Sequence, residues 1–379
     1  MGQKDGCLGR IARGTTVWGF FAVLAVLAVL VLVGCGNGFF EDVADKGAEA
    51  GGTEAKEAAE GKTGVKETKA GGQEETGGEM SPDENLIVVG VSQIGSESVW
   101  RTANTASIQR AFTKENGYFL IFKNARQKQE NQIKALRSFI SQRVDYIAFS
   151  PITERGWDTV LQEAKEAGIP VILIDRRVRV SDDSLYTAWV GPDFVNEGRM
   201  AGEALEDCLK RNRRQDESIH IVVLKGTEGA SSTIGRTRGF SSVAENHKNW
   251  NILEQVDAEF TTAKGQEEME RLLRKYDTID VLISQNDDMT FGALEAIRKA
   301  GKRAGENGDI IVISFDAVKN ALKLVEEGLI TADVECNADQ GKYVEEMIRK
   351  LENHEIVPKL NFVPEEVFTA ENVGERLKD

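Results

Sequence analysis

From about Leu86 onward the chain alternates between two kinds of hydrophobic pattern. Nine short runs rich in β-branched and aromatic residues recur at Leu86 to Ser92, Phe119 to Phe122, Tyr146 to Ser150, Val171 to Ile174, Ile219 to Leu224, Ile252 to Val256, Val281 to Ser284, Ile310 to Ser314 and Thr331 to Val334. Such runs read as strands buried on both faces. Most are separated by stretches with helical spacing, such as Ile133, Leu136 and Ile140, or Leu161, Ala164 and Lys165 before Ile169-Pro170. Strand and helix in alternation predict α/β architecture with parallel sheets covered by helices. Nine or more strands exceed one comfortable open sheet, so two doubly wound, Rossmann-like lobes are expected. The break is expected near Trp189 to Asp193, where Gly191-Pro192 interrupts the pattern before a helix starting at about Phe194.

The first 82 residues follow neither pattern. Lys4, Arg10 and Arg13 precede an uncharged apolar run from Val17 to Val33, as in an export signal. That run ends in Leu32-Val33-Gly34-Cys35, which is similar to the lipobox of bacterial lipoproteins. Residues 1–35 are therefore expected to be a lipoprotein signal peptide with Cys35 the lipidated residue, the alternative being an uncleaved membrane anchor. Two acyl chains hold a protein on a membrane where one would not. Residues 36–82 are dominated by Glu, Lys, Gly, Ala and Thr and predict a disordered acidic linker.

Composition narrows the function. The 379 residues carry 47 Lys and Arg against 62 Asp and Glu, a formal net charge of −15, which argues against nucleic acid as a partner. No Cys-x-x-Cys or His-Glu-x-x-His occurs, and His220, His247 and His354 stand in unrelated contexts, so no metal and no cofactor are expected. Asp287 and Asp288 point apart on one helical turn and lack calcium-loop spacing. Cys208 and Cys336 are expected to be buried free thiols.

In open parallel sheets the ligand site lies beyond the carboxyl ends of the strands. The residues there are Gln93 to Arg101, Asp175-Arg176, Gln285 to Asp288 and Phe315-Asp316. Carboxylates accept, guanidinium forks donate and amides do both, so the set suits the hydroxyls of a neutral polyol. Trp100 adds a flat face for the C–H side of a sugar ring, with a place in the core as its alternative. Ser96, Asn286, Asp287 and Asp316 taken singly read equally as helix caps, and Asp175-Arg176-Arg177 as a solvated turn. Arginines beside the carboxylates are expected to keep them ionised, unlike the general acid of a glycosidase.

Val91-Ser92-Gln93 with Gly95-Ser96-Glu97-Ser98 and Trp100-Arg101, then Gln127-Lys128-Gln129-Glu130-Asn131-Gln132 and Asp175-Arg176, resemble the galactofuranose-binding branch of the type I periplasmic sugar-binding proteins. The likeness runs through Gly229-Ala230-Ser231, Arg236, Gly239-Phe240, Asn286-Asp287-Asp288-Met289, Phe315-Asp316 and Val334-Glu335-Cys336-Asn337, over about residues 86 to 370. It implies two lobes joined by three crossovers, residues 86–190 with about 337–360 in the first and 191–335 with about 361–379 in the second. It also implies a monosaccharide ligand passed to an ABC permease by a monomeric, lipid-anchored receptor on the extracytoplasmic face of the cell membrane. Glu97, Ser98, Trp100, Arg101, Asp175 and Arg176 would serve the sugar from the first lobe, Arg236, Asn286 and Asp316 from the second, and Asn337 from a crossover. The segments Pro151 to Glu154 and Ile234-Gly235 depart from the family pattern, which leaves the sugar itself open. A sugar sensor coupled to a kinase or chemoreceptor has the same sequence signature. A LacI-type repressor would carry a helix-turn-helix where the signal segment stands, and a secreted glycosidase would need to conscript Glu97, Asp175 or Asp316 as its acid pair.

Overall fold

The computed structural model describes residues 85–378; the expected signal peptide, Cys35 and the acidic linker lie outside them. Among the described residues no helix is long and apolar enough to cross a membrane. In chain order the elements are β1 (Ile87–Gln93), α1 (Val99–Ala111), β2 (Tyr118–Asn124), α2 (Gln129–Gln142), β3 (Tyr146–Phe149), α3 (Asp158–Glu166), β4 (Val171–Ile174) and β5 (Ala188–Gly191). Then come α4 (Phe194–Arg211), β6 (Ile219–Lys225), α5 (Ser231–Ala244), β7 (Trp250–Asp257), α6 (Thr262–Lys275), β8 (Val281–Ser284), α7 (Asp287–Lys299), β9 (Ile311–Asp316), α8 (Lys319–Glu326) and β10 (Ala332–Glu335). The chain ends with α9 (Gly341–Glu352), β11 (Leu360–Phe362), β12 (Val367–Thr369) and α10 (Val373–Arg376).

The strands form two six-stranded sheets with the same winding, β11-β5-β4-β3-β1-β2 and β12-β10-β9-β8-β6-β7. All pairings are parallel except β10 with β12. Each element of the first sheet thus has a counterpart in the second, β4 matching β9 and β1 matching β6. Both faces of each sheet are covered, which is why the central strands are unbroken apolar runs. On the first sheet Ile147, Phe149 and Leu173 pack under α2 and α3, while Val89, Val91 and Ile172 pack against Ile108 of α1 and Val344 and Ile348 of α9. On the second, Leu224, Leu282 and Val312 face α6, α7 and α8, and Ile221, Ile283 and Ile313 face Leu205 of α4 and Phe240 of α5.

The chain crosses between the lobes three times: from β5 into α4, from β10 into α9, and from β11 into β12. Two expectations shift here. Ala188–Gly191, which overlaps the expected break at Trp189 to Asp193, is itself a strand of the first sheet, pairing with β4 and β11, so the crossing is confined to Pro192 and Asp193 at the end of that range and Gly191 belongs to the first lobe. Asn361 and Phe362, expected in the second lobe, also belong to the first sheet because β11 pairs with β5. Cys208 and Cys336 are both buried and free.

One helix crossing sets up the site. Where α4 passes α5, a Cβ on Gly198 would lie 2.2 Å from the Arg236 carbonyl oxygen, and one on Gly239 would lie 2.0 Å from that of Val195. Both distances are impossible for a real side chain, so the glycines allow the backbones to approach within reach of Glu197 and Arg236, which face each other across that crossing.

Candidate functional site

The carboxyl ends of the two sheets face each other across a small polar cavity of about 20 Å³, room for one or two waters with the lobes this close. Nine residues expected from sequence line it: Glu97, Ser98, Trp100, Arg101, Asp175, Arg176, Arg236, Asn286 and Asp316. Phe194, Ser232, Phe260 and Cys336 complete the wall. Asn337 does not reach it. Its backbone N–H donates to Glu365 Oε1 at 3.3 Å and its side chain accepts from the Asp339 N–H at 2.9 Å, so the side chain braces the crossover turn.

Each lobe presents a buried arginine–aspartate pair at an equivalent position. In the first, Arg101 Nη2 lies 2.9 Å from Asp175 Oδ2 at the end of β4, and its Nε 3.2 Å from Glu97 Oε1. Ser150 Oγ donates to the same Asp175 oxygen at 3.2 Å. In the second, Arg236 Nη2 lies 3.3 Å from Asp316 Oδ1 at the end of β9, and its Nε 2.6 Å from Glu197 Oε2. The guanidinium planes are stacked on rings that fix their tilt: Arg101 on Trp100, Arg176 on Phe260, and Arg236 on Phe194 and Phe315. Burial depresses Arg101, and Asp175 and Glu97 more than restore it, leaving it above its ordinary value. At Arg176 burial, then repulsion from Arg101, outweighs the pull of the same Asp175 and Glu97 and lowers it to about 10.

Both aspartates sit in backbone conformations that L-residues rarely adopt, with φ of 62° at Asp175 and 111° at Asp316. Strain of this kind persists only where surrounding contacts over-determine it. Around Asp316 those contacts come from a second pair of acids. The Ala317 N–H donates to Asp333 Oδ1 at 3.2 Å, the Val318 N–H to Asp287 Oδ2 at 2.9 Å, and Ser314 Oγ to Asp287 Oδ1 at 2.6 Å. Burial first holds both acids above the usual carboxylate range, Asp333 at about 8, with repulsion from Asp333 adding to the rise at Asp287. Asp316 departs from the expectation that its arginine keeps it ionised. Burial raises it well above the usual range, and Arg236 offsets only part because Asp287, Glu197 and Asp288 push the same way as burial.

Several caps double as walls. Asn286 Oδ1 accepts from the Met289 N–H at 2.9 Å, so both the capping and the cavity readings hold for it, while the cap of α1 is Ser98, whose Oγ accepts from the Arg101 N–H at 3.0 Å, and not the expected Ser96. Trp100 likewise has two roles: it lines the cavity, and its Nε1 donates to the Cys336 carbonyl of the second crossover. Asp288 points away from Asp287, as expected, and accepts from the Val99 N–H of the other lobe at 3.0 Å. That bond, Arg177 N–H to Ser231 Oγ at 2.9 Å and Glu154 N–H to Gly229 O at 3.0 Å hold the lobes together over the cavity.

The lining has a defined chemistry. Three guanidinium groups face the carboxyl groups of Glu97, Asp175 and Asp316, so hydrogen-bond donors and acceptors both line the wall. Glu97 Oε2, Arg176 Nε and Ser232 Oγ are buried without a hydrogen-bond partner. They offer an acceptor, a donor and a group that is both, and an unpaired buried polar atom is costly unless a ligand satisfies it. Trp100, Phe194 and Phe260 supply apolar faces.

Residues 88–354 match the periplasmic binding protein domain family. The chain is 36% identical over 296 residues to the galactofuranose-binding protein YtfQ of Escherichia coli, covering 77% of this chain and 91% of that one. Among solved structures, a Mycobacterium smegmatis protein in complex with β-D-fucofuranose superposes with a TM-score of 0.74 at 40% identity, over 78% of this chain and 95% of that chain. The binding component of the arabinose ABC transporter of Shewanella sp. ANA-3, bound to α- and β-L-arabinofuranose, gives 0.72 at 39% identity over 77% and 94%.

The acid pair under Asp316 yields a signed pH dependence. An aspartate raised to about 8 in the fold, against roughly 3.9 when unfolded, contributes in full below the lower value and loses its contribution progressively as pH rises to the upper one. The thermal midpoint of the sugar-free protein is expected to fall between about pH 5 and pH 8, and Asp333→Asn to flatten that fall. Calorimetric scans with the same slope in both proteins would contradict the raised Asp333.

Proposed function

This chain belongs to the periplasmic binding protein domain family, and on that premise we propose that it captures one monosaccharide between its lobes and delivers it to an ABC permease. The observation that carries the reading is the set of unpaired buried atoms on Glu97, Arg176 and Ser232, in a wall that mixes guanidinium, carboxyl and aromatic groups. Sugar hydroxyls donate and accept, so one ring can satisfy all three. Relatives that bind galactofuranose, fucofuranose or arabinofuranose point to a sugar in its furanose form. The proposed ligand residues are Glu97, Ser98, Trp100, Arg101, Asp175 and Arg176 from one lobe and Arg236, Asn286 and Asp316 from the other. Nothing in the wall is arranged for turnover, and binding proteins rather than enzymes make up the family matches. The cavity is completed by a single chain, which supports a monomer.

Calorimetric titration with L-arabinose, D-fucose, D-galactose, D-fructose and D-ribose is expected to give saturable one-to-one binding for at least one sugar. Asp175→Asn and Arg101→Lys should weaken it by about tenfold to a hundredfold, because the first leaves the buried Arg101 charge without that partner and the second replaces a planar fork that reaches two carboxylates with a single ammonium. Heat signals absent for all five, or unchanged in both variants, would remove the reading.

The anchoring is the second part of the proposal. A basic segment, an apolar run and Cys35 in a lipobox-like context support diacylation of that cysteine, with residues 36–82 as a tether on the extracytoplasmic face of the membrane. Cells expressing Cys35→Ser should release the protein from the membrane fraction and lose palmitate labelling, and labelling that persists would contradict it.

A further inference from the structure

The three crossovers meet at one cluster that the sugar site does not use directly. Glu197 lies in the first turn of α4, just past the first crossover; Cys336 and Asn337 belong to the second; Glu365 belongs to the third. Carboxylate oxygens of Glu197 and Glu365 and the Cys336 sulfur lie within 4.8 Å of one another. Glu197 is fully buried. Its Oε2 accepts from Arg236 Nε at 2.6 Å, but its Oε1 meets no ordinary donor, because the group in front of it is the Glu365 carboxyl. Glu365 Oε1 is occupied by the Asn337 N–H at 3.3 Å, which leaves its other oxygen toward Glu197.

Two ionised carboxylates this close repel each other strongly where water does not screen them, whereas one proton between them converts the repulsion into a hydrogen bond. We propose that Glu365 is a positioning residue for sugar recognition: it donates a shared proton to Glu197, which locks the Arg236 fork that reaches Asp316, and so ties the cavity to all three crossovers. The role in recognition rests on the reading of the cavity as a sugar site; the shared proton does not.

The neighbours are consistent with this assignment. Arg236 from α5, Asp316 from the end of β9, Asp175 from the end of β4 and the Cys336 thiol are the charged or titratable groups around the pair. Burial, then the Glu197 charge, pushes Glu365 up to about 11, and burial also raises Glu197 while Arg236 opposes the rise. Burial keeps Cys336 a thiol. Arg236 already supplies the positive charge at this point, which favours a proton over a metal cation in the gap.

The test compares wild type with Glu365→Gln and Glu365→Ala, using L-arabinose and D-fucose as probes. Glutamine keeps both hydrogen bonds, its amide donating to Glu197 and its carbonyl accepting from Asn337, so its dissociation constant at pH 7 should stay within about threefold of wild type, while alanine loses about tenfold or more. A proton held more tightly in the closed form makes wild-type affinity fall as pH rises from about 6 to 10, and glutamine should flatten that profile. Glutamine as poor as alanine, or a pH profile shared by wild type and glutamine, would overturn the proposal. Should neither probe bind any of the three proteins, sugar-free thermal midpoints over the same pH range decide the proton: a steeper fall in wild type than in glutamine supports it, and parallel curves overturn it. Stabilisation of wild type but not of Glu365→Gln by micromolar Zn²⁺ would replace the proton with a metal and overturn it too.

Discussion

A buried ion pair gains stability only when its geometry and further hydrogen bonds repay the loss of water around both charges. This protein sets two such pairs opposite each other, Arg101 with Asp175 in one lobe and Arg236 with Asp316 in the other, and much of the local architecture serves to hold them. The glycine contact between α4 and α5 brings Glu197 beside Arg236; Trp100, Phe194 and Phe315 fix the guanidinium planes; Asp287 and Asp333 brace the strained turn that carries Asp316. Because the two sheets share one winding, β4 and β9 deliver the aspartates to matching positions. The cleft therefore offers similar fork-and-acceptor units from both sides, an arrangement that suits a ring carrying hydroxyls around its edge.

The hinge and the cavity share atoms. Trp100 touches the cavity and donates to the carbonyl of Cys336 on a crossover, while Arg236 reaches Asp316 with one nitrogen and Glu197, beside the crossovers, with another. Bonds such as Val99 N–H to Asp288 and Arg177 N–H to Ser231 form only when the lobes meet. A ligand that touches both lobes binds the closed arrangement better than the open one, and that difference in affinity is what closure requires.

Much of this was legible in the sequence, for physical reasons. Strands covered on both faces, such as β8 with its Val281–Ser284 run, announce themselves as apolar blocks, and chemistry at their carboxyl ends follows from the architecture. The short edge strands β11 and β12 were missed because three half-exposed residues carry no periodicity, and β5 because Gly191-Pro192 after it reads as a break. Phe194, Phe260, Ser232 and Cys336 were missed as walls since an apolar or small residue in a loop or a helix's first turn looks the same whether it faces a core or a cavity; reading the loop after β7 as closely as those after β1, β4, β8 and β9 would have found Phe260. Asn337 was expected to face the ligand, but its backbone and side chain are taken by the crossover turn. The raised pKa values of Asp316, Asp333 and Glu365 could not be read at all, because burial and the meeting of carboxyls distant in sequence exist only in the fold.

The central claim is that a sugar touching both arginine–aspartate pairs draws the lobes together. Small-angle X-ray scattering of the purified protein, with and without a saturating sugar identified by calorimetry, measures this directly. The account predicts a smaller radius of gyration with sugar, and no compaction in Asp175→Asn at the same sugar concentration. An unchanged radius in wild type at saturation, or equal compaction in the variant at a concentration that leaves it mostly unbound, would contradict it.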